Sequence, residues 1–441
     1  MSMEVAGRRF TVVGAGRSGV AASNALARRG GDVQLVEART DAERPAGLDA
    51  GVAFVAGTNA PRAGDVAVLS PGIPEVSPVR GEVAAAASEV LGEVELFWRL
   101  SPAPVAAITG TDGKSTTTTM LGAIVALSGR PTFVGGNLGN PLCEGLDALG
   151  PDHLVVAEVS CFQLTTCDTF RPQVAIVTNI AEDHLDYHGG FEPYQAAKRR
   201  IWQRMGAGDT VILNGDDPFI AAWPLPQGPA IQRFSLTDTA AEAHLEAGRL
   251  VVHGEALMSR ARLPLPGGHN VQNALAAALA AHALGIPAEV TRRALMAYQP
   301  LAHRLQPVPT EDGLRWVDDS KATNPNAAAA GIRAIDGGLI LLCGGSSKDA
   351  DFAQFGALVR ERARLAICYG QTREALAQAI GGDRAVVVET LAEAVAHARA
   401  AAVAGDTVLL GPACASFDQF KSYGHRGDVF RALVRGEPVP A

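Results

Sequence analysis

Ile108-Thr109-Gly110-Thr111-Asp112-Gly113-Lys114-Ser115-Thr116 decides the fold of this chain. The stretch follows the apolar run Val105 to Ile108, which reads as a buried strand, and opens a helical pattern running from Thr116 to Leu127. Strand, glycine-rich loop and helix in that order make a cradle for polyphosphate. Backbone N–H groups and the helix N-terminus face the anion, a lysine reaches the outer phosphates, and a hydroxyl meets Mg²⁺. The common form of the loop has a glycine five positions before its Gly-Lys pair. This chain has Ile108 there, so its loop is the shorter Gly-x-x-Gly-Lys-Ser-Thr. The stretch reads as a nucleoside triphosphate site built from Gly110, Thr111, Asp112, Gly113, Lys114, Ser115 and Thr116.

Around that loop, 441 residues leave room for roughly three domains. A hydrophobic content of 47% with 19% charged residues suits a globular protein with sizeable cores. The net charge of −8 and the lack of any Lys or Arg block argue against a nucleic-acid partner. Six scattered cysteines without a Cys-x-x-Cys pair fit a reduced cytoplasm better than a disulfide framework. No apolar run approaches the ~20 residues of a membrane span, and no signal-peptide pattern precedes the first strand. The expectation is a cytoplasmic monomer.

The α/β rhythm divides into three units, expected at 1–97, 98–299 and 300–441. In the first, a strand at 8–13 leads into Gly14-x-Gly16-x-x-Gly19 and an Ala-rich helix. Strands follow at Val33 to Val36 and Val66 to Leu69, the latter closed by Ser70-Pro71-Gly72. Strands alternating with helices imply a parallel, Rossmann-like sheet. The middle unit holds the phosphate loop and buried strands at Leu154 to Val159, Val174 to Thr178 and Val211 to Leu213. Residues 229–265 read as an antiparallel patch, and linkers fall near Ser101-Pro102-Ala103-Pro104 and Tyr298-Gln299-Pro300. The last unit repeats the βαβ rhythm, with strands at Arg315 to Val317, Leu339 to Leu342, Leu365 to Cys368, Ala385 to Val388 and Thr407 to Leu410.

Gly14, Gly16 and Gly19, with the acid Glu37 about 20 residues on, satisfy a dinucleotide fingerprint. The same turn serves any diphosphate. A UDP-type ligand is favoured because an ATP loop follows, while a nicotinamide dinucleotide and a dehydrogenase remain the alternative. Glu158 ends the strand after the phosphate loop, where a carboxylate can meet the Mg²⁺ held by Ser115. His184 follows another buried strand, and Lys198 lies on the Tyr194-x-x-x-Lys198 helix. Strand carboxyl ends are where open α/β sheets place ligands.

Taken together, Gly110-Thr-x-Gly-Lys-Ser-Thr, Glu158-x-Ser160-x-Phe162-Gln163-Leu164, Asn179-x-x-x-Asp183-His184, Tyr194-x-x-x-Lys198, His269-Asn270-x-x-Asn273-Ala274 and His303-Arg304 resemble the Mur ligase family. These ATP-dependent amide ligases build the peptide of bacterial cell-wall precursors. The resemblance runs over essentially the whole chain. It implies three α/β domains: a UDP-sugar domain, a central ATPase-type domain and a Rossmann-like domain for the amino acid. Asp319-Ser320-Lys321-Ala322-Thr323-Asn324, Gly344-Gly345-x-x-Lys348 and Ser416-Phe417-Asp418-Gln419-Phe420 are most similar to the branch that adds D-glutamate to UDP-N-acetylmuramoyl-L-alanine.

The resemblance implies a carbamylated Lys198 that helps place the second of two Mg²⁺ ions, the one bound by His184; Ser115 and Glu158 complete the metal set. It implies ATP contacts from the phosphate loop, Asn270, Asn273, Arg304 and Asp319, with Lys114 and Lys321 offsetting phosphate charge. Gly14, Arg17, Ser18, Glu37, Arg39, Ser70, Gly72 and Asn137 would hold the UDP sugar. Thr323, Lys348, Ser416, Phe417 and Tyr423 would hold D-glutamate. Four residues depart from the family's habit: Asp112 for Asn, Cys161 for Ser, Phe417 for Leu and Tyr423 for Phe. Other Mur-type ligases and folylpolyglutamate synthase are the nearest competing activities. The first domain argues against the folate enzyme, and the lack of an Asp-Asn-Pro-Arg stretch argues against the diaminopimelate-adding one.

Overall fold

The computed structural model describes residues 3–73, 75–299, 302–335, 337–346 and 352–440. They form an α/β protein with three sheets. The chain divides into two compact units, Met1–Pro264 with Gly268–Tyr298, and Leu265–Gly267 with Gln299–Ala441.

The first unit contains two sheets. Strands β1 (Arg9–Val13), β2 (Asp32–Glu37), β3 (Ala53–Ala56), β4 (Val66–Leu69) and β5 (Glu89–Gly92) lie in the order β3-β2-β1-β4-β5, every pairing parallel. Parallel strands are buried on both faces, so they read as unbroken apolar runs; Val-Ala-Val-Leu of β4 is buried throughout. The order reverses between β1 and β4, and that crevice is where an open sheet offers a ligand site. The Gly14 turn leaves β1 there, and Ser70 leaves β4.

The second sheet comprises β6 (Val105–Thr109), β7 (Thr132–Gly136), β8 (Leu154–Glu158), β9 (Val174–Val177), β10 (Thr210–Asn214), β11 (Ala230–Ser235), β12 (Ala243–Glu246), β13 (Arg249–Val252) and β14 (Glu255–Ser259). Its order is β14-β13-β12-β11-β10-β9-β6-β8-β7. The reversal falls beside β6, which lies between β9 and β8, so the phosphate loop, Glu158 and Thr178 leave neighbouring strands at the same end. The antiparallel patch expected over 229–265 is smaller than that range. β11 pairs parallel with β10, Thr210 opposite Ala230 and Asn214 opposite Phe234. Only β12 to β14 are antiparallel. A parallel return needs a crossover of about a dozen residues or more, which 215–229 supply with the short helix Pro218–Ala221.

In the second unit, β15 (Gln306–Val308), β16 (Arg315–Asp318), β17 (Leu339–Gly344), β18 (Leu365–Tyr369), β19 (Ala385–Val387) and β20 (Thr407–Leu410) lie in the order β15-β16-β20-β17-β18-β19. All pairings are parallel except β15 with β16. Successive strand residues point to opposite faces. Leu341 and Leu409 therefore pack with Ile332, Phe355 and Leu376. Leu342 and Leu410 pack with Trp316, Ala394 and Phe430 on the other side. Among the described residues no helix is long and apolar enough to cross a membrane, and all six cysteines are free and buried.

Candidate functional site

The phosphate loop joins β6 to helix Lys114–Leu127. Gly113 takes the left-handed conformation, φ +77°, and a side chain there would collide with Asn273 Oδ1. Only glycine meets both demands without strain. The loop is tied to the strand beside it. Asp112 N donates to Asn179 Oδ1 at 2.8 Å, and Asn179 Nδ2 and Thr178 Oγ1 donate to Asp112 O at 3.0 and 2.5 Å. Thr111 Oγ1 lies 2.8 Å from Tyr194 Oη and accepts from Ala181 N at 2.9 Å. The Asp112 side chain, in contrast, is exposed. Behind the loop, Thr117 Oγ1 donates to Asn273 Oδ1 at 3.2 Å, and Asn273 Nδ2 to Asn270 Oδ1 at 3.3 Å. The two asparagines expected to contact ATP thus pack against the loop's own helix.

Two lysines converge on one carbonyl. Lys114 Nζ donates to Gly110 O at 3.0 Å and Thr111 O at 2.6 Å, and Lys198 Nζ donates to the same Gly110 O at 2.6 Å. Lys198 is 2% exposed and lies over the Tyr194 ring, 4.6 Å from its centre. Burial, then the charge on Lys114, pushes the Lys198 pKa down to about 7. Near neutral pH a large share of Lys198 is therefore a free amine.

Glu158, at the end of β8, is 2% exposed. Asn137 Nδ2 donates to its Oε1 at 2.8 Å, and its Oε2 is buried without a hydrogen-bond partner. Ser115 is buried in the first turn of the loop helix. His184 has φ +52°, and its ring lies 4.6 Å from that of Phe162 and 3.4 Å from Asp183 Oδ2. Asn137, expected at the sugar, is in this structure the partner of Glu158.

At the first sheet's crevice, Gly14 sits against Ser70 and Gly19 against the Gly14 carbonyl, both too close for a side chain. Ala15 N donates to Glu37 Oε2 at 3.0 Å, and that N–H, ahead of Arg39, holds the Glu37 carboxyl below its usual range. Arg39 Nε lies 3.4 Å from Glu37, Arg17 reaches Glu144 at 3.6 Å, and Gly72 N donates to Ser70 Oγ at 3.5 Å. Ser18 begins the following helix, beside Arg17. The eight expected UDP-sugar residues therefore divide between this crevice and, through Asn137, the end of β8.

In the second unit, Asp319 accepts from Leu305 N at 3.1 Å, and burial pushes its pKa up to about 7 against the pull of Arg304. Lys321 Nζ lies 5.6 Å from the centre of the Tyr423 ring. Thr323 N donates to Lys321 O at 2.8 Å. Ser416 is buried, whereas Phe417 is 74% exposed and Tyr423 partly exposed. Lys348 falls outside the described residues. Sequence reasoning passed over Arg426, which is wholly buried. Its guanidinium donates to Ser320 Oγ (2.9 Å) and to the carbonyls of Ser320 (2.8 Å), Cys414 (3.1 Å), Ala415 (3.2 Å) and Gly344 (3.4 Å). Ser320 Oγ in turn donates to Tyr423 O at 2.8 Å. One cation thus holds together the segments carrying Lys321, Ser416 and Tyr423. The available signal was the neighbouring Gly427, whose lack of a side chain admits the His303 ring.

Largely parallel α/β sheets, with a phosphate loop between a buried strand and a helix and a strand-end carboxylate beside it, define the P-loop class of nucleotide-binding folds. The chain belongs to the Mur ligase family. Residues 108–281 match the model of the Mur ligase middle domain, and residues 303–414 that of the Mur ligase glutamate ligase domain. The chain is 40% identical to the UDP-N-acetylmuramoylalanine–D-glutamate ligase of Pelotomaculum thermopropionicum over 97% of each chain. It is also 40% identical to the ligase of that name from Myxococcus xanthus, over 98% of this chain and 99% of the other. Among solved structures, the MurF ligase of Thermotoga maritima in complex with ADP superposes with a TM-score of 0.63 at 16% identity, over 98% of this chain and 96% of the other. MurC of the same organism gives 0.59 at 19%, over 92% and 95%. These two likenesses concern the fold.

Proposed function

We propose that this protein joins D-glutamate to UDP-N-acetylmuramoyl-L-alanine at the expense of ATP, in peptidoglycan precursor synthesis. The observation that carries this reading is near-full-length similarity, at 40% identity, to ligases of that name. Residues 1–97 would hold the UDP sugar through Gly14, Arg17, Ser18, Glu37, Arg39, Ser70 and Gly72. Residues 98–299 would hold ATP through the phosphate loop, Asn270 and Asn273, with Asn137 facing the muramoyl substrate. Residues 300–441 would supply Arg304, Asp319 and Lys321 to the nucleotide, and Thr323, Lys348, Ser416, Phe417 and Tyr423 to the amino acid.

An amide cannot form from a carboxylate and an amine in water without activation. The L-alanyl carboxylate attacks the γ-phosphate of ATP, the bond to ADP breaks, and an acyl phosphate results. The D-glutamate amine then adds to the acyl carbon, loses a proton, and phosphate leaves. The first step sets anion against anion, so its barrier is largely electrostatic. Lys114 and Lys321 would offset that repulsion with fixed positive charge.

The donor set fits Mg²⁺. Among the described residues no three His, Cys, Asp or Glu side chains converge as a ready-made metal site. Mg²⁺ does not need one, since it usually takes one or two carboxylates and completes its shell with phosphate oxygens and water. Glu158 offers a buried oxygen with nothing to bond, Ser115 a hydroxyl, and His184 an imidazole. Bound there, the ions would neutralise phosphate charge. Lys198 as an ammonium would repel them. As a free amine it can add CO₂ with loss of one proton, giving a carbamate whose oxygens suit a hard cation. Burial that lowers its pKa to about 7 favours that chemistry.

Phosphate release with ATP, Mg²⁺ and UDP-N-acetylmuramoyl-L-alanine, assayed with D-glutamate, L-lysine, diaminopimelate and D-alanine in turn, tests the reading. Turnover is expected with D-glutamate alone. Preference for another amino acid would overturn the substrate assignment.

A further inference from the structure

The crevice of the first sheet and the His184 segment are joined by a contact that the proposed function leaves unused. Arg80, on helix Pro78–Ala86, points its guanidinium away from its own helix. Nε and Nη2 donate to Ile73 O at 3.2 and 3.0 Å, fastening the end of the Ser70–Ile73 loop. Nη2 also donates to Tyr187 Oη at 2.8 Å, and Nη1 to Thr165 Oγ1 at 3.1 Å. Tyr187 Oη itself donates to the same loop, to Ile73 O at 2.9 Å and Pro71 O at 3.2 Å. One guanidinium and one phenol thus bind the loop that carries Ser70 and Gly72.

Two of the three partners of Arg80, Tyr187 and Thr165, lead on towards His184. Tyr187 N donates to His184 O at 3.2 Å, so the two residues share one backbone turn. The Tyr187 ring lies 4.1 Å from that of Phe162, and the His184 ring lies 4.6 Å from the same phenyl group. Thr165 Oγ1 donates to Phe162 O at 2.8 Å, so the second arm reaches the main chain of the same residue. His184 holds a left-handed backbone, φ +52°, uncommon for a residue with a side chain. Such a conformation persists only where its surroundings dictate it.

We propose that Arg80 and Tyr187 form a clasp that couples occupation of the Ser70–Gly72 loop to the placement of the His184 imidazole, so that the nucleotide sugar and the divalent cation bind cooperatively. Arg80 and Tyr187 are positioning residues and touch neither ligand. The proposal rests on the proposed roles of Ser70, Gly72 and His184. Coupling between sites is reciprocal, so Mg²⁺ tightens the sugar nucleotide by the factor by which the sugar nucleotide tightens Mg²⁺.

Calorimetric titration of the full chain with UDP-N-acetylmuramoyl-L-alanine, with and without Mg²⁺ and without ATP, measures that factor apart from turnover. Couplings of this kind are commonly about 5- to 150-fold. A factor of about fivefold or more is expected in the wild type, falling towards one in Tyr187→Phe, which deletes a single oxygen, and in Arg80→Gln. Arg80→Lys, which keeps the charge but loses the fork, should retain part of it. His184→Ala separates the proposal from the reading beneath it. An unchanged factor there would place the cation on the diphosphate and remove His184 from the account. Loss of the factor in His184→Ala but full retention in Tyr187→Phe and Arg80→Gln would overturn the clasp alone. Melting curves of the ligand-free variants show whether each is folded. Tyr187→Phe, the smaller change, decides the matter if Arg80→Gln is not.

Discussion

The first unit contains the same local design twice, and the two copies are furnished differently. The Gly14 turn and the Gly110 loop each follow an interior strand with parallel neighbours on both sides, at the point where strand order reverses, and each opens a helix. They differ in charge. At the Gly14 turn a carboxylate, Glu37, takes up the N–H of Ala15, and the nearby arginines, Arg17 and Arg39, are exposed. At the Gly110 loop two lysines share one carbonyl, a buried glutamate leaves an oxygen unused, and hydrogen bonds from Thr178 and Asn179 hold the loop. The reversal of strand order offers a crevice for a ligand at both. On the proposed function, the two lysines and the buried carboxylate gathered at the Gly110 loop would mark the site where phosphate reacts, and the Gly14 turn the site where it need only be held.

The largest effect should come from removing that charge. Lys114→Ala leaves the loop's backbone to bind phosphate but takes away the group that offsets repulsion at the γ-phosphate. A fall in kcat of ~10²–10³-fold is expected, the usual cost of losing one such stabilising group. Near wild-type turnover would make the two turns functionally alike. Lys198→Ala should be comparably impaired, with partial recovery in acetate or formate, because a small carboxylate can occupy the place of the carbamate. Full activity of that variant under limiting CO₂ would remove the carbamate from the account.

Lys198 also predicts a pH dependence of stability. Its pKa in the folded protein, about 7, lies below its ordinary 10.5. Between those values the unfolded chain binds the extra proton, so stability should rise as pH increases through that window. Below it both states are protonated and the cost of the buried charge is felt in full. Melting of the wild type in CO₂-free buffer should show this rise, and Lys198→Met should flatten it. Parallel curves for the two proteins would mean that the amine is not held free.

The Gly14 turn should answer to ligands differently. UDP is expected to raise the melting temperature and NAD to leave it unchanged. Stabilisation follows RT ln(1 + [L]/Kd), about 2.7 kcal/mol at a hundredfold excess over Kd. A shift with NAD and none with UDP would assign the turn to a dinucleotide.

How much of this was legible in the sequence depended on whether an interaction involves side chains close together in the chain. The phosphate loop is contiguous, so its residues and the strand before it could be read directly. Glu158 and Lys198 stood out by position at a strand end and on a helix, but the shared Gly110 carbonyl and the unbonded Glu158 oxygen required the fold. Arg426 was not legible because four of its five acceptors are backbone carbonyls, which leave no mark on residue identity. Arg80 was missed for a related reason: Ile73 O, Thr165 and Tyr187 come from three separate segments. β3, β5 and β7 also escaped notice. β3, Ala-Phe-Val-Ala, is apolar but short and alternates between exposed and half-buried, and in β7 two glycines cut the apolar run short.

The smallest effect concerns Asp112, which places a negative charge in the phosphate loop. Its main chain is fixed from both sides by Asn179 and Thr178, so the geometry of the loop does not depend on its side chain. That side chain is exposed, and water and salt screen an exposed charge. Asp112→Asn should therefore change ATP affinity without changing kcat. Interactions between exposed charges typically amount to 0.2–1 kcal/mol, so KM for ATP should fall by about 1.5- to 5-fold at low ionic strength. The difference should shrink as salt is added, because the Debye length drops to about 8 Å at physiological ionic strength. A salt-independent change in KM, or a change in kcat, would show that Asp112 acts through contact rather than through its field. The charge contrast between the two glycine-rich turns would then rest on the buried groups alone.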